Sequence, residues 1–217
     1  MSSKTSPTPS LDFELSFQAQ GVRYIIGLDE VGRGCIAGDV AVGAVLIELE
    51  EVPAWPANLK DSKLLTEKAR VAILPELQSW AKSHSVGLAT VAEIEQHGII
   101  TALSLAADRA LQQLNTAGMP ADQIMVILDG NQDYLGIDNF QVVTKVKADQ
   151  SCVSVAAASV IAKVTRDNLM LELAKQYPGY GLDSNKGYAS AEHRQALLNL
   201  GTTPIHRISW LTKILEG

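Results

Sequence analysis

Tyr24-Ile25-Ile26-Gly27-Leu28-Asp29-Glu30-Val31-Gly32-Arg33-Gly34 is the stretch on which the reading of this chain turns. An apolar run ends in two adjacent carboxylates and a glycine-framed arginine, and a second apolar run follows at residues 40–49. The two runs read as neighbouring antiparallel strands, residues 23–29 and 40–49, joined through the Gly-Arg-Gly turn. Successive side chains of a strand point to opposite faces, so Asp29 and Glu30 share a site only if the strand ends there and Glu30 turns back. Gly32 and Gly34 supply the backbone freedom for a sharp turn and let a ligand approach the main chain closely. Taken alone, an Asp-Glu pair beside a glycine is more often a solvated hairpin tip than a site. Partners must come from the rest of the chain.

The 217 residues, 47% of them hydrophobic, suffice for one well-packed domain. Residues 1–20, beginning with a Ser-, Thr- and Pro-rich segment, are expected to form a flexible tail, and residues 21–217 a single domain. The net charge of −6 provides no global basic field, so binding to nucleic acid must rest on local patches. No apolar run approaches the roughly 20 residues needed to span a bilayer and no hydrophobic signal core opens the chain, so no membrane association and a cytoplasmic location are expected. Cys35 and Cys152 cannot build a disulfide framework and read as free thiols.

Beyond the opening hairpin, Thr66 is placed to cap a helix running toward residue 82, which Pro75 should kink or shorten. A short strand is expected at 86–91, then a helix over 92–114 interrupted at Gly98. Leu103, Ala106, Ala107, Ala110, Leu111 and Leu114 fall on one face of that helix, as packing on a sheet requires. The continuous apolar run at 124–128 reads as a central strand ending in Asp129-Gly130. A strand at 140–146, a long helix at 151–177, a loop at 178–187, a helix at 191–200 and a short helix near 209–215 complete the reading. A hairpin followed by alternating strands and helices makes an α/β layer protein with a mixed sheet.

Two strands thus end in acids, Asp29-Glu30 and Asp129, at the place where open α/β sheets collect ligands. Asp149 precedes the long helix, where it can cap the helix and still face the sheet end. Four carboxylates without histidine or cysteine are hard oxygen donors, suited to Mg²⁺ or Mn²⁺ and poorly to zinc, and their mutual repulsion calls for a cation. Singly, Asp129 could merely open a turn and Asp149 merely cap a helix. Asp167 rivals Asp149, but ~1.5 Å per helical residue puts it about 27 Å farther along, so only one of them fits a compact site. Asp167 is expected to be exposed or ion-paired.

The motifs resemble the type 2 ribonucleases H, specifically bacterial ribonuclease HII. The resemblance is carried by Gly27-Leu28-Asp29-Glu30-Val31-Gly32-Arg33-Gly34 with Ala37-Gly38, Asp61-Ser62-Lys63, Leu128-Asp129-Gly130-Asn131 and Lys147-Ala148-Asp149. It continues through residues 156–167 (AAASVIAKVTRD), Lys186-Gly187-Tyr188 and Thr203-Pro204-Ile205-His206-Arg207, in order across nearly the whole chain. Cys35 and Asp39 stand where that family often has prolines, and Cys152 and Val155 lie in a segment that varies.

The resemblance implies a ribonuclease H-like fold: a mixed five-stranded sheet flanked by helices, with a C-terminal helical extension. It implies a metal-dependent endonuclease that cuts the RNA strand of RNA/DNA hybrids and incises at single ribonucleotides in duplex DNA, leaving 5′-phosphate and 3′-hydroxyl ends. Asp29, Glu30, Asp129 and Asp149 match its metal-binding carboxylates, with Asp29 the expected bridge between two Mg²⁺ or Mn²⁺ ions about 3.5–4 Å apart. Gly32, Arg33 and Gly34 match its loop for the ribose 2′-hydroxyl, Tyr188 its tyrosine at the RNA–DNA junction, and Lys63 a backbone contact. The expected partners are RNA/DNA hybrid and ribonucleotide-containing duplex DNA, with the protein acting as a monomer. Lys63, Lys145, Lys147, Lys163, Arg166, Lys186, Arg194 and Arg207 are candidates for a local basic surface, although scattered lysines are usually just solvated. A non-catalytic hybrid-binding module and another two-metal nuclease on the same sheet are the rival readings.

Overall fold

The computed structural model describes residues 8–136 and 140–212. Five strands, β1 (Tyr24–Val31), β2 (Val40–Glu48), β3 (Ser83–Ala89), β4 (Ile124–Asp129) and β5 (Gln141–Lys145), form one sheet in the order β3-β2-β1-β4-β5. β1 pairs antiparallel with β2 and parallel with β4; β2 and β3 are antiparallel, β4 and β5 parallel. This is the mixed five-stranded sheet expected, with the hairpin at its centre.

Among the described residues seven α-helices run in chain order: α1 (Asp12–Leu15), α2 (Glu67–Trp80), α3 (Val91–Gln113), α4 (Ala148–Ser151), α5 (Val153–Gln176), α6 (Leu182–Asn185) and α7 (Ala191–Leu200). α5 lies on one face of the sheet and α3 on the other. Ile25, Val45 and Ile127 meet the small-residue run of α5, while Ile26, Leu28, Val42 and Val126 meet Leu103, Ala106 and Ala110 of α3. Burying each large aliphatic side chain contributes roughly 1.5–3 kcal/mol. The approach of α5 depends on missing side chains: a Cβ at Gly27 or Gly43 would run into its backbone at Ser154 and Ala158.

Thr66 caps α2 by accepting from Ala69 N at 3.2 Å, as expected. Pro75 does not shorten that helix, which continues to Trp80. Gly98 does break the helical path of α3, with φ 79° and ψ 163°. A 3₁₀ turn, Ile208–Trp210, stands at the start of the segment expected as a last helix, and residues 213–215 of that segment lie outside the described residues. Both cysteines are free and buried. Among the described residues no helix is long and apolar enough to cross a membrane.

Residues 8–20 correct the expectation of a flexible tail. Ser10 N donates to Ser151 O at 3.1 Å, Phe17 is buried in the α5-side core, and Glu14 has no exposed surface. The Glu14 carboxylate accepts from both Ser154 N and Ser154 Oγ at 3.0 Å. α5 carries no capping side chain of its own at Cys152, so Glu14 supplies from a distance the oxygen that its first turn lacks. A charge pattern local to residues 1–20 could not reveal a partner 140 positions away.

Candidate active site

β1 and β4 run side by side with Leu28 opposite Leu128, so the next residues, Asp29 and Asp129, emerge together at the carboxyl end of the sheet. Lys147 takes a left-handed conformation, φ 59°, and turns the chain leaving β5 into α4, which brings in Asp149. One oxygen from each of Asp29, Asp129 and Asp149 lies within 4.8 Å of the other two. Asp129 Oδ1 is oriented by the start of α4, accepting from Ala148 N at 2.7 Å. Asp149 does not cap the long helix as expected; it lies in the separate turn of α4, and the long helix begins only at Val153. Asp167, its rival, is buried on α5 and ion-paired with Lys163 at 2.7 Å and Arg70 at 3.6 Å.

Glu30 behaves differently from its expectation. β1 continues through Val31 with Glu30 paired opposite Val42, so the strand does not end in time for Glu30 to turn back. Asp29 takes the α5 face with Gly27, and Glu30 the α3 face with Leu28. Its oxygens lie 3.4 Å from Arg33 Nη1 and 3.5 Å from Tyr134 Oη, beside the three-carboxylate cluster and not within it. Tyr134 was not anticipated, because the connection that carries it has no motif of its own.

The electrostatics show how uncomfortable the cluster is. Burial, opposed by Lys63 and reinforced by Glu30, Asp129 and Asp149, pushes the Asp29 carboxyl well above the usual carboxylate range. Burial and then Asp129 raise that of Asp149, and burial raises that of Glu30 against the pull of Arg33. Lys63 Nζ sits 3.1 Å from Asp149 Oδ2; desolvation works against its charge, but Asp29 and Asp149 prevail and hold its proton more tightly than usual. Three crowded, oxygen-only donors, of which Asp29 and Asp149 ionise with difficulty mainly because they are buried, fit a hard divalent cation and offer nothing that zinc would prefer.

Asp29, Glu30, Gly32, Arg33, Gly34, Lys63 and Tyr188 line one cleft of ≈ 200 Å³ together with Ser62 and Lys163. Asp61 shapes the approach of Lys63 by accepting from its main-chain N at 2.9 Å, and Ser62 N is anchored to Ser159 Oγ at 3.1 Å. Gly32 has φ 87°, and a Cβ there would strike the Arg166 side chain. A larger cleft of ≈ 550 Å³ opens between residues 56–60 and α2, but its lining includes a single acid, Glu76. The convergence of charge and close-approach backbone therefore favours the smaller one.

Arg166, Arg207 and Lys186 are not surface cations, since each is buried. Arg166 donates to the carbonyls of Asp39 and Lys186 at 2.8 Å and Ala37 at 3.0 Å. Arg207 donates to Gly38 O at 2.8 Å and Arg33 O at 3.0 Å, with burial drawing its pKa down to about 10. These arginines brace the main chain behind the glycine loop and the Lys186-Tyr188 segment. Main-chain carbonyl partners leave no mark in a sequence.

A mixed sheet of this order with acids at the ends of its central parallel strands is that of a ribonuclease H-type nuclease. The family model for ribonuclease HII matches residues 26–213. The chain is 47% identical over 203 residues to ribonuclease HII of Streptomyces avermitilis, covering 93% of this chain and 83% of the relative. It is 39% identical over 212 residues to that of Synechococcus elongatus, covering 97% and 96%. The structure of ribonuclease H2 from Pyrococcus horikoshii OT3 superposes with a TM-score of 0.73 at 27% identity, over 89% of this chain and 97% of that one. Bst-RNase HIII, solved in complex with Mn²⁺, shares the fold with a TM-score of 0.71 at 24% identity, over 93% of this chain and 72% of that one. The chain belongs to the ribonuclease HII family, and it is a ribonuclease H, an endonuclease acting on the RNA of RNA/DNA hybrids.

Proposed function

We propose that the chain also incises duplex DNA on the 5′ side of single embedded ribonucleotides, as well as the RNA strand of longer hybrids, leaving 5′-phosphate and 3′-hydroxyl ends. The observation that carries this reading is the meeting of Asp29, Asp129 and Asp149 within 4.8 Å beside a loop stripped of side chains at Gly32 and Gly34. Asp29, Asp129 and Asp149 would hold divalent cations, Mg²⁺ or Mn²⁺, with Glu30 on their flank. When bound, such ions supply Lewis-acid stabilisation of the phosphoryl oxygens and an activated water.

The remaining work falls to the chain itself. The main chain at Gly32-Arg33-Gly34 approaches the sugar closely enough to distinguish a 2′-hydroxyl from hydrogen, the one backbone group separating RNA from DNA. Tyr188, 42% exposed over the cleft, offers a ring to stack on the neighbouring sugar. Lys63 presents an ammonium to the phosphodiester, and Lys163, 6.0 Å from the Tyr188 ring, adds a second. With a net charge of −6, binding rests on these few cations and weakens steeply with salt.

One gel tests the reading: an all-DNA duplex, a duplex with one ribonucleotide and a long hybrid, each with Mg²⁺, with Mn²⁺ and with EDTA. Cleavage of the second and third substrates only, abolished by EDTA and by Asp129→Asn, is expected. Cleavage of the all-DNA duplex, or turnover that survives EDTA, would overturn it.

A further inference from the structure

Two buried histidines lie outside the carboxylate cluster and take no part in the chemistry above. His193 on α7 and His206 face each other with their Nε2 atoms 3.2 Å apart, neither ring exposed beyond 1%. Their outer nitrogens meet main-chain groups whose roles are fixed. His193 Nδ1 is 2.9 Å from Tyr188 O, which can only accept, so that nitrogen carries a proton. His206 Nδ1 is 3.0 Å from Thr203 N, which can only donate, 2.9 Å from Thr203 Oγ1, and 3.3 Å from Thr203 O, which can only accept; the shorter main-chain contact is the donating one, which assigns a bare Nδ1. With one proton per neutral ring, His206 Nε2–H then donates to the bare Nε2 of His193. The chain Thr203 N–H to His206 to His193 to Tyr188 O is complete and has a single direction. A second proton on either ring would set two donors face to face.

The two ends of this chain belong to the two halves of the cleft. Tyr188 lines one wall. His206 forms an antiparallel bridge with Ala37, flanked by Gly38 N donating to Ile205 O at 2.8 Å and Arg207 N donating to Ile36 O at 2.9 Å, immediately behind the glycine loop. Around the pair stand Tyr180, its ring 4.9 Å from that of His206 and 6.2 Å from that of His193, and Glu192, the acid acting on His193.

We propose that His193 and His206 are positioning residues that register Tyr188 against the Gly32–Gly38 loop through a one-directional hydrogen-bond chain formed by two neutral rings. The inference rests on the function proposed above, in which Tyr188 and that loop read the same ribonucleotide from two sides. Burial and then His193 pull the His206 pKa down to about 4, which keeps the ring neutral at ordinary pH and agrees with the geometry.

The test is a double-mutant cycle on the single-ribonucleotide duplex, with kcat, KM and the Mg²⁺ activation midpoint measured for each protein and folding checked by thermal unfolding. His193→Phe fills the space without a donor and should lower kcat/KM roughly ten- to a hundredfold, as a misplaced substrate contact does, with the Mg²⁺ midpoint unchanged. His193→Asn, whose amide nitrogen can stand in for Nδ1 although the link to His206 stays cut, should recover part of the loss. In a Tyr188→Ala background, His193→Phe should have no further effect. Should His193→Phe fail to fold, His206→Asn keeps the acceptor for Thr203, removes the donor to His193 and enters the same cycle. A loss that persists in the Tyr188→Ala background, or an asparagine variant as impaired as the phenylalanine one, would overturn the proposal. Tyr188→Ala with wild-type kinetics would remove Tyr188 from the substrate site and the positioning role with it, whereas wild-type protein that leaves every ribonucleotide-containing duplex intact would defeat the function itself.

Discussion

Asp29 and Glu30 are adjacent in the chain and back to back across the sheet, because the β1–β2 ladder runs on through Val31 opposite Ala41. Asp29 faces the buried cluster with Asp129 and Asp149, and Glu30 faces Arg33 and Tyr134. The two carboxylates are therefore separable by experiment, and the more crowded one makes a prediction about stability.

Asp29→Asn should abolish cleavage and also raise the unfolding temperature in the absence of divalent ions, since it removes a charge that burial and its neighbours disfavour. Adding Mg²⁺ should stabilise the wild type by a linkage term of RT ln(1 + [Mg²⁺]/Kd) and leave the variant almost unmoved. Calorimetry with and without Mg²⁺ reads both effects. A variant less stable than wild type in EDTA would show that the cluster is held comfortably without a cation.

Gly32→Ala meets two obstacles, a left-handed φ of 87° and the Arg166 side chain in the path of the new methyl group. A loss on the order of 1–3 kcal/mol is expected from the strain alone. Arg166→Lys should be comparably damaging because one ammonium cannot reach the three carbonyls that the planar fork spans. Urea unfolding midpoints check both, and a neutral Arg166→Lys would contradict the bracing role.

Glu14→Ala removes the oxygen that serves the first turn of α5 and should destabilise by roughly 1–2 kcal/mol, as loss of a cap does. Burial raises the Glu14 pKa, so its ionised form is disfavoured in the fold and stability from this group declines as pH rises through the folded pKa. Glu14→Gln keeps an acceptor without the charge. It should match the wild type at pH 5 and equal or exceed it at pH 8, as followed by thermal unfolding at each pH.

His206 has the opposite sign. Its folded pKa, about 4, lies below the ordinary histidine value, so the unfolded chain takes up the proton first. Stability is intact above pH ~6.5 and should drain away as pH falls toward 4, by up to about 3 kcal/mol. Urea midpoints between pH 7.5 and 4.5 should show a shallower acid slope for His206→Asn than for the wild type. Parallel slopes would mean that the ring accepts its charge in place.

Much of this was legible beforehand, for reasons that differ by residue. The β1–β2 hairpin, the Thr66 cap, the break at Gly98 and the strand-end Asp129 follow from period, turn chemistry and propensity, all of which are local. The strand boundary is the less legible part at Glu30: the ladder runs two residues past the expected end and holds that side chain on the other face, where it still lines the cleft. Arg166 and Arg207 looked like solvent cations because their partners are carbonyls, which every residue possesses and no sequence displays. Glu14 was lost with the polar segment before it, since its partner Ser154 becomes a neighbour only when α5 is docked.

The brace from Arg207 to Arg33 O closes a span of 174 residues. The glycine loop leaves the ribosome 174 residues before the arginine that secures it. Until that arginine is made, a growing polypeptide carries an unfinished blade.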